Sequence, residues 1–317
     1  MVRRLPLPDR LVAHALVQEG LVSTRQCDAS GVPRGHRESL VRSGRLVRVQ
    51  RAVYDVTPGL GALTGGPLGA GPDGARRRAA WTGLLAAGPT AIAVGASALA
   101  LLGVEGLPPV VRPEVAMPGG SRRRPRGSVV VRCFDAGMPV ERVGSARVAA
   151  PAWAVAQAVC ELDRRHAVAV LDSALLRGLV SGGLDDVDAL VRGRRGAARA
   201  RPWLTLADGR AQSPLETWAR LECVDDGVPP DELQVPVRDG RGRVVARGDL
   251  GWWLRDGRLL VAEIDGAGVH GAPDALFADR TRQNALVAAG VDVLRFTARD
   301  LATTGVVSSA VRTHLAR

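Results

Sequence analysis

The sequence predicts a multidomain α+β protein, and three observations carry that prediction. The chain has 317 residues, beyond the range in which one hydrophobic core keeps growing. Residues 59–74 hold seven glycines, no aromatic and one charge, the composition of a connection between folded parts. The residues before that run pattern as short helices and a hairpin, whereas the last third of the chain alternates helix with strands. Hydrophobic residues make up 46% and charged residues 24%, which leaves enough apolar surface for real cores.

Leu11, Val12, Ala15 and Leu16 share one helical face, and Gly20 ends that helix. Ser23-Thr-Arg-Gln26 has the form of a capping box, so a second short helix is expected from Ser23 to near Gly31. Pro33 suits the first turn of a third helix over residues 33–43, with Leu40 and Val41 turned inward and Arg34, His36 and Arg37 outward. Gly44 closes it, and residues 45–50 and 51–56 read as two strands around a tight turn. Three helices and a wing is the order of a winged helix-turn-helix, whose third helix enters the DNA major groove while the wing touches backbone. The chain therefore divides into a winged helix (1–57), a glycine-rich linker (58–75), an α/β middle domain (76–210) and a C-terminal domain (211–317).

In the middle domain, residues 76–81 open a helix, residues 114–118 and 128–134 are expected strands, and residues 151–162 and 166–178 are amphipathic helices. The arginines of residues 122–126 and of the run Arg192, Arg194, Arg195, Arg199 and Arg201 are either phosphate contacts or solvated surface. In the last block, Ser213-Pro-Leu-Glu216 starts a helix. Strands follow at 233–237, 244–254 and 259–265, then a helix at 277–289 and a buried strand from Val291. With a three-residue loop at 255–257, position i pairs with 512 − i, which sets Asp249 opposite Glu263 on one face. A two-residue turn would instead put Glu263 on the other face. Like charges directly opposed across a sheet are destabilising, so a cation is expected between them. Asp265 shares that face, and His270 follows. Oxygen ligands and water suit Mg²⁺ or Mn²⁺, and such a site can activate water against a phosphodiester.

The chain contains no lysine, so all 43 basic residues are arginine, and the net charge is +11. Residues 1–210 hold 30 Arg against 17 acids, whereas residues 211–317 hold 13 Arg against 15 acids. A basic surface favours a polyanion, here nucleic acid, and the winged-helix order makes duplex DNA the expected partner. The longest apolar run, residues 91–104, is broken by glycines and too short for a bilayer, and the first residues have no apolar signal core. A cytoplasmic protein with no membrane partner is expected. The four cysteines, Cys27, Cys133, Cys160 and Cys223, are far apart, which argues against a zinc module or a disulfide framework.

Residues 20–26 (GLVSTRQ) and 43–54 (SGRLVRVQRAVY) resemble the N-terminal domain of AbiEi-type antitoxins, with Ala52 where that family commonly has glycine. The stretch that follows is also similar to such proteins. The resemblance implies DNA binding by Arg34, Arg37 and Arg42 of the helix and Arg48 and Arg51 of the wing, and a setting in bacterial defence or beside a cognate toxin.

The last block resembles the PD-(D/E)xK nucleases, and among them the very-short-patch repair endonucleases, which implies a restriction-endonuclease-like α/β/α domain with a mixed sheet. The matching motifs are Ser213-x-x-Glu216, Asp249-Leu-Gly-Trp-Trp, Val261-Ala-Glu-Ile-Asp-Gly-x-x-x-His270, Asp279-Arg-x-Arg-Gln-Asn284 and Gly290-x-x-Val-Leu-Arg-Phe-Thr297. By this resemblance Asp249 and Glu263 bind the metal, Glu216 assists, and His270 is the general acid or base or meets the metal through water. Asp265 stands where many such nucleases carry lysine, and Arg280 and Arg282 grip phosphate or replace that lysine. Each assignment has a plainer counterpart: Glu216 as the N3 residue of a capping box, Asp265 as the start of a turn, Arg282 as a solvated helix face. The expected activity is metal-dependent DNA hydrolysis. The alternatives are an antitoxin-like transcriptional regulator with an inactive nuclease fold and an RNA-processing nuclease.

Overall fold

The computed structural model describes residues 7–60, 68–120, 127–134, 137–266, 286 and 288–316. It is a mixed α+β protein with three sheets among the described residues, and by its contacts the chain divides into two compact units. Unit 1 comprises residues 1–162 and 180–201; unit 2 comprises residues 163–179 and 202–317.

Unit 1 begins with α1 (Asp9–Leu16), β1 (Leu21–Ser23), α2 (Thr24–Ala29), α3 (Arg34–Arg42), β2 (Val47–Gln50) and β3 (Val53–Asp55). The capping box at Ser23 forms: its Oγ accepts the Gln26 N–H at 3.2 Å, and Gln26 Oε1 accepts the Ser23 N–H at 2.8 Å. Leu11, Ala15, Val22, Cys27, Val32, Leu40 and Leu46 close over a small core. The hairpin expected at 45–56 gains a third strand, because β1 pairs antiparallel with β3. Ala52 turns that hairpin with φ +67°, the left-handed region that favours glycine.

Two expectations about α3 are corrected. Val41 is exposed, and Arg37 is buried at 7% exposure. Arg37 pairs with Asp28 and donates to the Val32 carbonyl at 2.9 Å, so it staples α3 to the end of α2. Both contacts run through Nη1, and the buried Nε has no hydrogen-bond partner among the described residues.

The glycine-rich run is helical at both ends. α4 (Thr57–Leu60) precedes it and α5 (Gly71–Ala87) begins within it, residues 61–67 lying outside the described residues. Arg77 meets Glu19 at 2.5 Å and Arg78 meets Asp55 at 2.6 Å, which ties α5 to the first block. The unit continues through β4 (Ile92–Ala93), α6 (Gly95–Leu101), β5 (Glu114–Ala116), β6 (Val130–Arg132), β7 (Val140–Val143), β8 (Ala146–Ala149) and α7 (Pro151–Glu161). Its five-stranded sheet has the order β6-β5-β4-β8-β7.

In unit 2, α8 (Arg164–Leu176) precedes the return to unit 1 through α9 (Gly183–Val191), and α10 (Ala197–Leu204) carries the chain back again. Then come α11 (Pro214–Asp225), β9 (Glu232–Arg238), β10 (Val244–Trp253), β11 (Leu259–Asp265), β12 (Asp292–Thr297) and a C-terminal helix (Val306–Leu315). The sheet order is β12-β11-β10-β9; β9, β10 and β11 are antiparallel neighbours, and β11 and β12 run parallel. Leu250, Trp252, Leu260, Ala262 and Phe296 pack on one face with α11 and the C-terminal helix. Val235, Val237, Leu259 and Val261 pack on the other. A mixed sheet covered on both faces explains why β11 is buried from Leu259 to Ile264 rather than alternating. The helix expected at 277–289 falls almost wholly outside the described residues.

Candidate functional site

The β10–β11 ladder runs from Trp253↔Leu259 to Leu250↔Ala262, the register in which paired numbers sum to 512. One step further lie Asp249 and Glu263. There the Asp249 carboxylate reaches across, and its Oδ2 accepts the Ile264 N–H at 2.8 Å. Gly248 and Gly251 flank it, and a Cβ at either would collide with Val261 or Val235.

Ser213 caps α11, its Oγ accepting the Glu216 N–H at 3.2 Å. The Glu216 carboxylate is directed elsewhere: Oε2 accepts the Gln212 N–H at 2.9 Å and Gln234 Nε2 at 3.0 Å. Gln234 Nε2 also donates to Asp249 Oδ1 at 3.3 Å. One amide therefore bridges two carboxylates, and Gln234 does so with φ +53°, a conformation that costs a non-glycine residue about 1–2 kcal/mol. Burial, reinforced by the nearby Asp249 charge, raises the pKa of Glu216 above the ordinary carboxylate value.

Glu263 is 2% exposed. Its partner in the parallel register is Arg295, whose Nη2 stands 3.2 Å from Glu263 Oε2. Asp265 ends β11, exposed and opposite Thr297. Of the residues expected in the site, the structure thus brings Glu216 and Asp249 together and sets Glu263 on the adjoining strand. His270, Arg280 and Arg282 lie outside the described residues. Among the described residues no group of three or more His, Cys, Asp or Glu side chains is arranged to hold a metal ion.

Two residues of the cluster escaped the sequence reading. Gln234 carries no motif; its left-handed backbone is what marks it. Arg295 sits within the Val-Leu-Arg-Phe strand, and pairing that strand parallel to β11 would have placed it opposite Glu263.

In unit 1, Arg34, Arg42, Arg48 and Arg51 are exposed, and Arg34 pairs with Glu38 one turn on at 2.9 Å. The later arginine run is mostly engaged internally. Arg192 and Arg201 both hold Asp188, Arg199 donates to the Cys160 and Leu162 carbonyls, and Arg194 lies over Trp153 at 5.0 Å. The arginines of residues 122–126 lie outside the described residues.

No family model matches the chain. It is 36% identical over 165 residues to an uncharacterized protein of Mycobacterium tuberculosis strain CDC 1551, and equally to one of strain H37Rv. The match covers 51% of this chain and 59% of each relative. Among the described residues, no helix is long and apolar enough to cross a membrane.

Proposed function

We propose that the protein binds duplex DNA and hydrolyses its phosphodiester bonds at the carboxylates of unit 2, with Mg²⁺ or Mn²⁺ as cofactor. The observation that carries this reading is the Gln234 amide shared by Glu216 and Asp249, with the buried Glu263 on the adjoining strand. Gathering acids in this way, on a strained backbone, works against stability. A cation is the natural partner for such a group, and oxygen-only donors fit a hard divalent one. Asp249 and Glu263 would hold it. Bound there, it would acidify a water molecule and offset charge on the reacting phosphate.

The protein's own groups prepare that site. Gln234 and the Ile264 N–H fix both oxygens of Asp249. Glu216 orients Gln234. Arg295 supplies a permanent positive charge beside Glu263 but cannot accept a proton at neutral pH, so proton transfer is assigned to His270. Arg280 and Arg282 are assigned to the phosphate. The order helix, three antiparallel strands, parallel fourth strand, helix supports the likeness to the PD-(D/E)xK nucleases. Three short helices, with β1 after the first and β2 and β3 after the third joined in one antiparallel sheet, support a winged-helix reading of the N-terminal block, with Arg34, Arg42, Arg48 and Arg51 as its phosphate contacts. Defence or toxin–antitoxin biology is the proposed setting.

The Glu263–Arg295 pair favours a second reading, in which arginine has taken the cation's place and the protein is a DNA-binding regulator. Incubation of plasmid and linear DNA with Mg²⁺, Mn²⁺ or EDTA separates the two. Metal-dependent cutting by the wild type, abolished in an Asp249→Ala/Glu263→Ala variant, is expected. Salt-sensitive binding by both proteins with cutting by neither assigns the regulator.

A further inference from the structure

Unit 2 has a marked local charge. Residues 211–317 hold fewer arginines than acids, yet residues 238–247 carry Arg238, Arg241, Arg243 and Arg247 against the single acid Asp239. All four arginines are exposed, and so are Val244 and Val245 between them, at 49% and 38%. These residues form the outer half of the β9–β10 hairpin. β10 pairs with β11 as far as Leu250↔Ala262, and β11 ends at Asp265. Beyond it, β9 and β10 pair with each other out to Arg238↔Val244.

The tip of this ribbon is held in shape. Asp239 Oδ1 accepts the N–H groups of Arg241 and Arg243 at 2.9 and 3.0 Å, and the Asp239 N–H donates to the Arg243 carbonyl at 2.9 Å. Arg238 Nη1 donates to the Gly242 carbonyl at 2.9 Å, and Gly242 has φ +78°. Arg241 makes no ion pair among the described residues and stands at the turn.

From this geometry we propose that the β9–β10 ribbon is a DNA-gripping arm that enters the major groove to one side of the reacting phosphate. The proposal rests on the nuclease reading for the position of that phosphate. Two antiparallel strands fit the major groove of B-DNA. The arginines meet backbone phosphates, and the two valines offer methyl groups to the groove floor. β10 carries a bulge between Val244 and Ala246, so from Asp249 to Val244 the ribbon advances four paired steps, about 13 Å at 3.3–3.4 Å per residue. That is about four base-pair steps of 3.4 Å.

The test uses full-length protein carrying Asp249→Asn, which binds without cutting, and a fluorescent 30-base-pair duplex titrated across a salt series. Replacing Arg238, Arg241, Arg243 and Arg247 by Ser is expected to weaken binding at least tenfold and to lower the slope of log K against log salt by about 2–4. Hydroxyl-radical footprinting is expected to lose protection about four base pairs to one side of the cut. Arg241→Glu alone, which keeps the backbone N–H bonded to Asp239 and changes a side chain with no ion pair among the described residues, is expected to move binding in the same direction. Unchanged affinity, slope and footprint in both variants overturn the arm. Equal, equally ribbon-dependent binding of an RNA duplex overturns its placement in the major groove, because the A-form groove is too deep and narrow to admit it. If the wild type never cuts DNA but the ribbon variants still lower the slope, the nuclease reading falls and the arm stands. If the wild type cuts and the ribbon variants bind and cut as it does, the arm falls alone.

Discussion

A carboxylic acid buried beside another acid holds its proton to higher pH, and Glu216 is such a group. Between the ordinary value of 4.5 and its raised value, the folded chain keeps a proton that the unfolded chain has lost. Stability contributed here therefore falls as pH rises through that window, and the penalty is fully present above it. Glu216→Gln is expected to raise the melting temperature at about pH 8 more than at about pH 4, and to lower the cleavage rate; thermal denaturation at both pH values, beside the plasmid assay, checks this. Ala52 is held at φ +67°, so Ala52→Gly is expected to stabilise the protein by about 1 kcal/mol in a urea titration. Arg37→Ala should act oppositely to a surface arginine change. It leaves Asp28 and the Val32 carbonyl without their donor, so it lowers stability by about 1–3 kcal/mol and leaves the salt slope of DNA binding as it was.

At the scale of elements, α8 is joined to α11 by a buried ion pair. Arg220 Nη2 lies 2.7 Å from Asp172 Oδ2, and Asp172 also accepts the Thr217 hydroxyl at 2.7 Å and the Asp208 N–H at 2.7 Å. Burial outweighs these contacts and raises the pKa of Asp172. Removing one partner leaves a buried charge uncompensated, so Asp172→Ala is expected to cost about 3–5 kcal/mol, measured by chemical denaturation. Most elements could be read from sequence because their signals are local. Ser213 and Ser23 cap helices as expected, and the three-residue loop at 255–257 sets the register of β10 against β11. What could not be read depends on partners distant in sequence. The inward turn of Arg37 needs Asp28, the third strand of the first sheet needs β3, and the cluster around Asp249 needs Gln234 in a backbone conformation no motif announces.

For the whole molecule, charge decides the predicted behaviour. The exposed Arg48 and Arg51 of the first block are each expected to lower the salt slope of DNA binding by about 1 when changed to Ser, with no change in melting temperature. Connectivity decides another property. The chain enters unit 2 at residue 163, leaves it at 180 and re-enters at 202. A fragment of residues 211–317 lacks α8 and the Asp172 partner of Arg220, and is expected to melt below the full chain. The same threading sets an order of events during synthesis. α8 leaves the ribosome before α11, the helix it packs against, has been translated, so its apolar face must wait in solution or lean on a temporary neighbour. At about 5–20 residues per second, the delay from Leu176 to Pro214 lasts seconds, long compared with the microseconds a helix needs to form.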